Sequence, residues 1–147
     1  MKTPKRKSKE QVLCYRFTDG EKLRRIEAAL RGLGIPCRVL PDESHIEKVG
    51  YLLGRGGFFK SSAEDAAPWE GIEEVMLIDG IKGKRLDSVL SALKSAGASV
   101  PYKAVITPYN TLWTLRRLCE TMEKEHGYMA EMTKGAKDDD GETRPAI

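Results

Sequence analysis

Residues 12–34, VLCYRFTDGEKLRRIEAALRGLG, and residues 75–97, VMLIDGIKGKRLDSVLSALKSAG, align without a gap at an offset of 63. Val12 meets Val75, Gly20 meets Gly83, Lys22 meets Arg85, Leu23 meets Leu86, Ile26 meets Val89, Leu30 meets Leu93 and Gly34 meets Gly97. Each stretch opens on a β-rich apolar run, continues with apolar residues at helical spacing, and ends on a glycine where a C-terminal cap belongs. A second β-rich segment follows each one, PCRVL at 36–40 and YKAVIT at 102–107. Self-similarity of this kind predicts an internal repeat, one supersecondary unit used twice, and hence two βαβ units in about 100 residues.

Two α/β architectures use such a pair. Packed head to head around a pseudo-two-fold, the units form a four-stranded antiparallel sheet with helices on one face. That ferredoxin-like (α+β) sandwich, with an added C-terminal helix, is the arrangement the duplication favours. If the units run on in one sense, SHIEKVGYLLG (44–54) becomes a crossover helix and the sheet a flavodoxin-like parallel one in three layers. The runs Val12–Phe17 and Val75–Ile78 are apolar on both faces, so both faces of the sheet need cover. The C-terminal helix is the element available for the second face.

The chain has 147 residues, 40% of them hydrophobic and 32% charged, which suits one compact domain with its own core. No stretch approaches the roughly 20 apolar residues of a membrane span, and the basic N-terminus lacks the apolar region of a signal peptide, so the expectation is a cytoplasmic protein without a membrane partner. Cys14, Cys37 and Cys119 form no C-x-x-C pair and lie in apolar runs, as small reduced hydrophobes do. The formal charge of +3 is unevenly spread: residues 1–31 carry ten Lys or Arg against four Asp or Glu. The expected division is a basic disordered tail at 1–10, a single α/β domain at 11–129, and a polar, acidic disordered tail at 130–147 around Asp138, Asp139 and Asp140.

The stretch AVITPYNTLWTLRRLC (104–119) carries more polar and aromatic groups than a strand-to-helix junction needs. Pro108 ends the strand, and Asn110 or Thr111 can cap a helix running to about His126. Leu112, Leu115, Cys119, Met122, His126 and Met129 then recur at steps of three and four and predict the buried stripe. On that wheel Trp113 lies opposite, beside Arg117, Glu120 and Lys124. Either it folds back against the strand edge or the long loop, or it joins Thr107, Pro108 and Asn110 in a patch for a partner or small ligand. The segment GRGGFFKSSAEDAAPWEG (54–71) is long and without periodicity, and loops of that length are usually functional or mobile. Its Phe58 and Phe59 join the candidate binding residues, and Trp69 is displayed there too.

GYLLGRGGF, LDSVLSALKSAG and above all YKAVITPYNTLWTLRRL followed by EKEH resemble a family of small, mostly bacterial proteins, the domain of unknown function numbered 3783. The resemblance extends over about residues 12–126. Its sharpest element is met by Lys103, Ala104, Val105, Thr107, Pro108, Asn110 and Trp113. It implies no known activity.

Other constellations are thin. DGIKGKRLD places Gly83, Lys84 and Arg85 at a helix start, where free amides attract anions, but the spacing departs from a P-loop and TDGEKL repeats the turn in the first copy. His45 and His126 are isolated, so no metal site or cofactor is expected, and no nucleophile elbow is present. Asp19 and Asp79 stand at strand ends, where Asp before Gly is first of all turn chemistry. No catalytic residue is assigned, and an enzyme is the less favoured class. The reading is a binding or regulatory module with a protein partner or a second copy of itself. Two alternatives stay open: non-specific nucleic-acid association through residues 2–9, and an enzyme acting on an anionic small molecule.

Overall fold

A computed structural model describes residues 10–61 and 69–136. In chain order the elements are β1 (Gln11–Tyr15), α1 (Gly20–Gly32), β2 (Cys37–Leu40), α2 (Val49–Leu52), β3 (Val75–Asp79), α3 (Gly83–Ser95), β4 (Tyr102–Val105) and α4 (Leu115–Ala136). Short 3-10 turns at Asp42–Ile46 and Asn110–Leu112 precede α2 and α4. Asp19 starts α1 by accepting the amides of Glu21 and Lys22. Both long inner helices end alike. Gly34 and Gly97 take φ of 73° and 68°, and the amides of Ile35 and Ala98 close back on the carbonyls of Leu30 and Leu93.

The four strands lie in the order β2-β1-β3-β4. β1 pairs parallel with β2, β3 pairs parallel with β4, and the two units meet in the antiparallel β1–β3 ladder. The sheet is therefore mixed. It has neither the all-antiparallel ferredoxin-like order nor the parallel flavodoxin-like one. Apolar patterning selects β1 and β3 as the central strands in either sandwich, and it leaves undecided which edge β2 takes. Here each inner helix joins neighbouring strands, so neither βαβ unit is split by a strand of the other.

Both faces of the sheet are covered, as its apolar strands require. Val12, Cys14, Met76 and Ile78 face Ile26 and Leu30 of α1 and Val89 and Leu93 of α3. Leu13, Tyr15, Val75 and Leu77 face Val49 and Leu53 and, from α4, Leu115, Leu118, Cys119 and Met122. The helix α4 starts at Leu115, not at Asn110, so the expected stripe is displaced: Leu112 is 61% exposed, Leu118 is buried and His126 is exposed against the Tyr102 ring. Its backbone stays helical to Ala136, past the expected boundary at 129. No helix among the described residues is long and apolar enough to cross a membrane.

Leu13 pairs with Leu77 at the middle of the β1–β3 ladder, an offset of 64. The helices keep the offset of 63. The connection from β3 to α3 is one residue shorter, and in a strand one residue reverses the face. Val12 accordingly faces α1 and α3, whereas Val75, its partner in the gapless alignment, faces α4. The correspondence continues beyond the βαβ units. Lys48 and Thr114 form an antiparallel bridge at an offset of 66, in which the Val49 amide donates to the Trp113 carbonyl at 2.8 Å and the Leu115 amide to the Glu47 carbonyl at 2.9 Å. Each half runs strand, helix, strand, 3-10 turn, bridge, helix, and α2 stands in one half where α4 stands in the other.

Candidate functional site

The two halves differ where Tyr15 and Asp79 correspond at the offset of 64. Tyr15 is fully buried, fills its half with a phenol ring, and donates its hydroxyl to the Asp42 carbonyl at 2.7 Å. Burial pushes that phenol up to about 12. Asp79 is 2% exposed, and its carboxylate accepts from Arg55 Nη1 at 2.9 Å, Arg55 Nη2 at 2.7 Å and Gln11 Nε2 at 2.9 Å. A carboxylate is smaller than a phenol. Moreover, α2 stops after four residues and turns at Gly54, with φ of 82°, where α4 continues. A cleft of about 410 Å³ lies beside Arg55, lined by Arg55, Gly56, Phe58, Ile106, Thr107, Pro108 and Thr111.

One wall is the turn after β4. The Thr107 amide donates to Asn110 Oδ1 at 2.8 Å, and the Asn110 amide donates back to Thr107 Oγ1 at 3.2 Å. This is the reciprocal logic of a capping box. Asn110 Nδ2 reaches the Val105 carbonyl at 3.4 Å, and Thr111 Oγ1 donates to the Pro108 carbonyl at 2.7 Å. The opposite wall is the loop after α2, pinned twice. Arg55 ties it to Asp79, and further on the Ser61 amide donates to Glu47 Oε1 at 2.7 Å, with Lys60 Nζ 3.6 Å from Glu47 Oε2. Between those anchors the Phe58 ring lies directly on the backbone of Gly50, in the space a Cβ would take. Phe59, Tyr109 and Leu112 stand beside lining residues in sequence and are 81%, 77% and 61% exposed.

Of the residues singled out from sequence, the cleft brings together Phe58, Thr107 and Pro108, with Phe59 next to Phe58. Asn110 is buried beneath its turn. Trp113 is not at the cleft: extended at φ −87° and ψ 156°, it precedes the helix, so helical geometry does not place it. It is half-buried against the α4 core cluster, with the Arg117 guanidinium 4.2 Å from its ring centroid. Trp69 is likewise half-buried, beside the His45 ring and the Arg116 guanidinium. Arg55 and Ile106 are not among the sequence candidates, and Thr111 enters there only as a possible helix cap. Arg55 was visible only as part of a glycine-rich loop, and its aim depends on Asp79, distant in sequence.

The Gly83, Lys84 and Arg85 turn joins the two halves. Arg85 donates to Glu10 from Nε and Nη2, each at 2.9 Å, and to the Leu33 carbonyl at 2.6 Å. Its counterpart Lys22 holds Glu74 at 2.7 Å. Each inner helix thus reaches the acidic residue that precedes the other half's first strand. The correspondence of Lys22 with Arg85 matches these crossed ion pairs. His45 is buried, its Nδ1 3.2 Å from the Asp42 carbonyl. Among the described residues no three His, Cys, Asp or Glu side chains group as metal ligands do. The basic segment 2–9 lies outside the described residues.

Comparison with known proteins gives one match. Residues 74–129 fit the family model described as Domain of unknown function (DUF3783), a span that begins just before β3 and ends within α4. That is narrower than the similarity expected over 12–126, and it contains the Lys103 to Trp113 run. No curated protein and no solved structure matches the chain. The second of the two halves therefore resembles that family of unknown function, and it supplies the cleft wall from Ile106 to Thr111.

Proposed function

We propose that the protein is a binding module that holds a segment of another polypeptide against the cleft between the loop after α2 and the turn after β4. One observation carries this reading. Among the described residues four large hydrophobics are strongly exposed, and three of them, Phe59, Tyr109 and Leu112, adjoin the lining residues Phe58, Pro108 and Thr111. Exposed apolar groups gathered at one place mark interaction surfaces, whereas scattered ones do not. The fourth, Val39, lies on the edge strand β2. The cleft also lies at the carboxyl ends of the parallel pair β3 and β4, where open sheets place ligands.

A photo-cross-linking amino acid at position 109, compared in the native host with one at the exposed Arg24 position on α1, tests the proposal. A discrete protein adduct is expected from position 109 and none from 24, and Leu112→Ser is expected to abolish it without changing the melting temperature. No adduct from 109, or the same adduct from both positions, removes the reading.

A further inference from the structure

Resting on that reading, we infer that the cleft selects a partner segment in which an acidic side chain stands next to a large apolar residue, with the carboxylate received by Arg55 and the apolar group lodged among Phe58, Ile106 and Pro108.

The argument begins with how Arg55 is spent. A guanidinium has five N–H donors. Two of them go to Asp79, one each from Nη1 and Nη2. The Nε–H and the second hydrogens of both terminal nitrogens remain. The Asp79 side chain is 3% exposed and that of Arg55 41%, so the carboxylate is shut in while the guanidinium opens outward. Gln11 adds a further donor to Asp79 from behind. An incoming group therefore meets the positive end of an ion pair whose negative end it cannot reach. Among the described residues Arg55 is also the one charged residue lining the cleft, and no described acidic side chain there competes for it.

The other walls favour a mixed ligand. Phe58, Ile106 and Pro108 are apolar, and Phe58 is seated on Gly50. Thr111 spends its hydroxyl proton on the Pro108 carbonyl. Thr107 accepts from the Asn110 amide and keeps its own hydroxyl proton, a second donor for a carboxylate oxygen. About 410 Å³ accommodates one large side chain together with a carboxylate, within the usual range of ligand sites. Planar recognition of a carboxylate by Arg is directional and charge-assisted. Phe59, Tyr109 and Leu112, each exposed and next in sequence to a lining residue, offer apolar contacts that a polypeptide can use and a small free acid does not need.

The test uses the ¹⁵N-labelled full chain and two blocked tetrapeptides, acetyl-Gly-Glu-Phe-Gly-amide and its Gln counterpart, with 3-phenylpropionate as a free acid. The Glu peptide is expected to shift the Arg55 Nε–H and the Thr107 and Thr111 amides, and to bind about tenfold tighter than the Gln peptide. In Arg55→Lys, which keeps a cation for Asp79 but loses the fork, that preference is expected to shrink to about twofold or less. If Arg55→Lys lowers the melting temperature, the Glu against Gln comparison on the unaltered chain decides alone. Equal affinity for the two peptides, or no shift with either, overturns the inference; an adduct at position 109 in the same circumstances leaves the binding module standing. Binding of 3-phenylpropionate as tight as that of the Glu peptide overturns the choice of a polypeptide in favour of a small acid.

Discussion

Tyr15 and Asp79 occupy corresponding positions on the two central strands, one a buried phenol bonded to the Asp42 carbonyl, the other a buried carboxylate gripped by Arg55. They differ in size and charge, and the Arg55 that grips Asp79 also lines the cleft. Replacing Asp79 by Asn keeps the volume and removes the charge that fixes Arg55. A cost of about 1–3 kcal/mol is expected, below the full cost of breaking a buried pair because Arg55 is partly solvated. Hydrogen exchange is expected to accelerate at the amides of 55–58 while α1 and α3 stay protected. Unchanged exchange in that loop would show that Arg55 does not anchor it.

The seat of Phe58 on Gly50 gives a second prediction. Gly50 is buried in α2, and an added Cβ meets the ring at once, while the helix itself gains from alanine. Overpacking wins, because the conflict is steric and local: Gly50→Ala is expected to destabilise by about 1–3 kcal/mol. Phe58→Leu relieves it, so the double variant should be more stable than the sum of the single changes implies, by about 1 kcal/mol. Additive effects in urea unfolding would show that the ring does not rest there.

Much of this architecture is legible in the chain. The helical spacing of Ile26 and Leu30, and of Val89 and Leu93, marks the faces that α1 and α3 bury, and the terminal glycines mark their ends. The apolar strands announce a covered sheet. Three things are hidden, each for a physical reason. Which edge β2 takes depends on pairing energies that Cys37–Leu40 share with either central strand. The one-residue difference between strand and helix offsets lies in a turn, where sequence similarity is weak but face assignment is decided. The bridge of Lys48 with Thr114 is made by backbone groups, which any side chains permit. The cleft is hidden for a related reason: its walls come from residues 55–58 and 106–111, which are distant in sequence and meet only in the fold.

Asn110 is predicted to be a positioning residue of the turn. It is fully buried and its amide group joins Thr107 to Val105. Asn110→Ala leaves the Thr107 amide without its acceptor, and a loss of about 1–3 kcal/mol is expected. Asn110→Asp keeps the acceptor and is expected to retain part of the loss. Equal destabilisation by both in thermal unfolding would assign the effect to packing instead.

Cys14 and Cys37 bring their sulfurs to 3.6 Å, a distance that invites a disulfide. The sulfur–sulfur contact and then burial hold the Cys14 thiol well above its ordinary range, while the same contact draws the Cys37 thiol below its own against the opposing effect of burial. The strand register opposes the bond. Val12 pairs with Cys37 and Cys14 with Val39, so the two cysteines stand two residues out of step on adjacent strands. Ideal strand spacings separate such Cα atoms by roughly 8 Å, beyond the reach of an unstrained disulfide. Treatment with diamide is therefore expected to leave the monomer's intact mass without the two-hydrogen loss of an internal bridge.

Besides the Cys14 thiol, two buried acids weaken the fold at high pH. The Tyr15 phenol rises from 10.0 to about 12, chiefly by burial and then by the nearby Cys119, and the Cys119 thiol rises from 9.0 to about 12, again chiefly by burial. In both cases the folded chain keeps a proton that the unfolded chain has already released. The unfolded state binds fewer protons there, so stability is whole below pH 9 and declines through the interval up to about 12. Lys103, held below its ordinary value by burial, acts in the opposite sense below 10.5 and cannot offset two acids above it. Tyr15→Phe is expected to cost about 0.5–1.5 kcal/mol at pH 7 through the lost bond to Asp42. It also removes the tyrosine's share of the alkaline decline, so urea midpoints for the variant and the parent should converge as pH rises from 9 to 11.5. A gap that stays constant over that range would place the Tyr15 proton in contact with solvent.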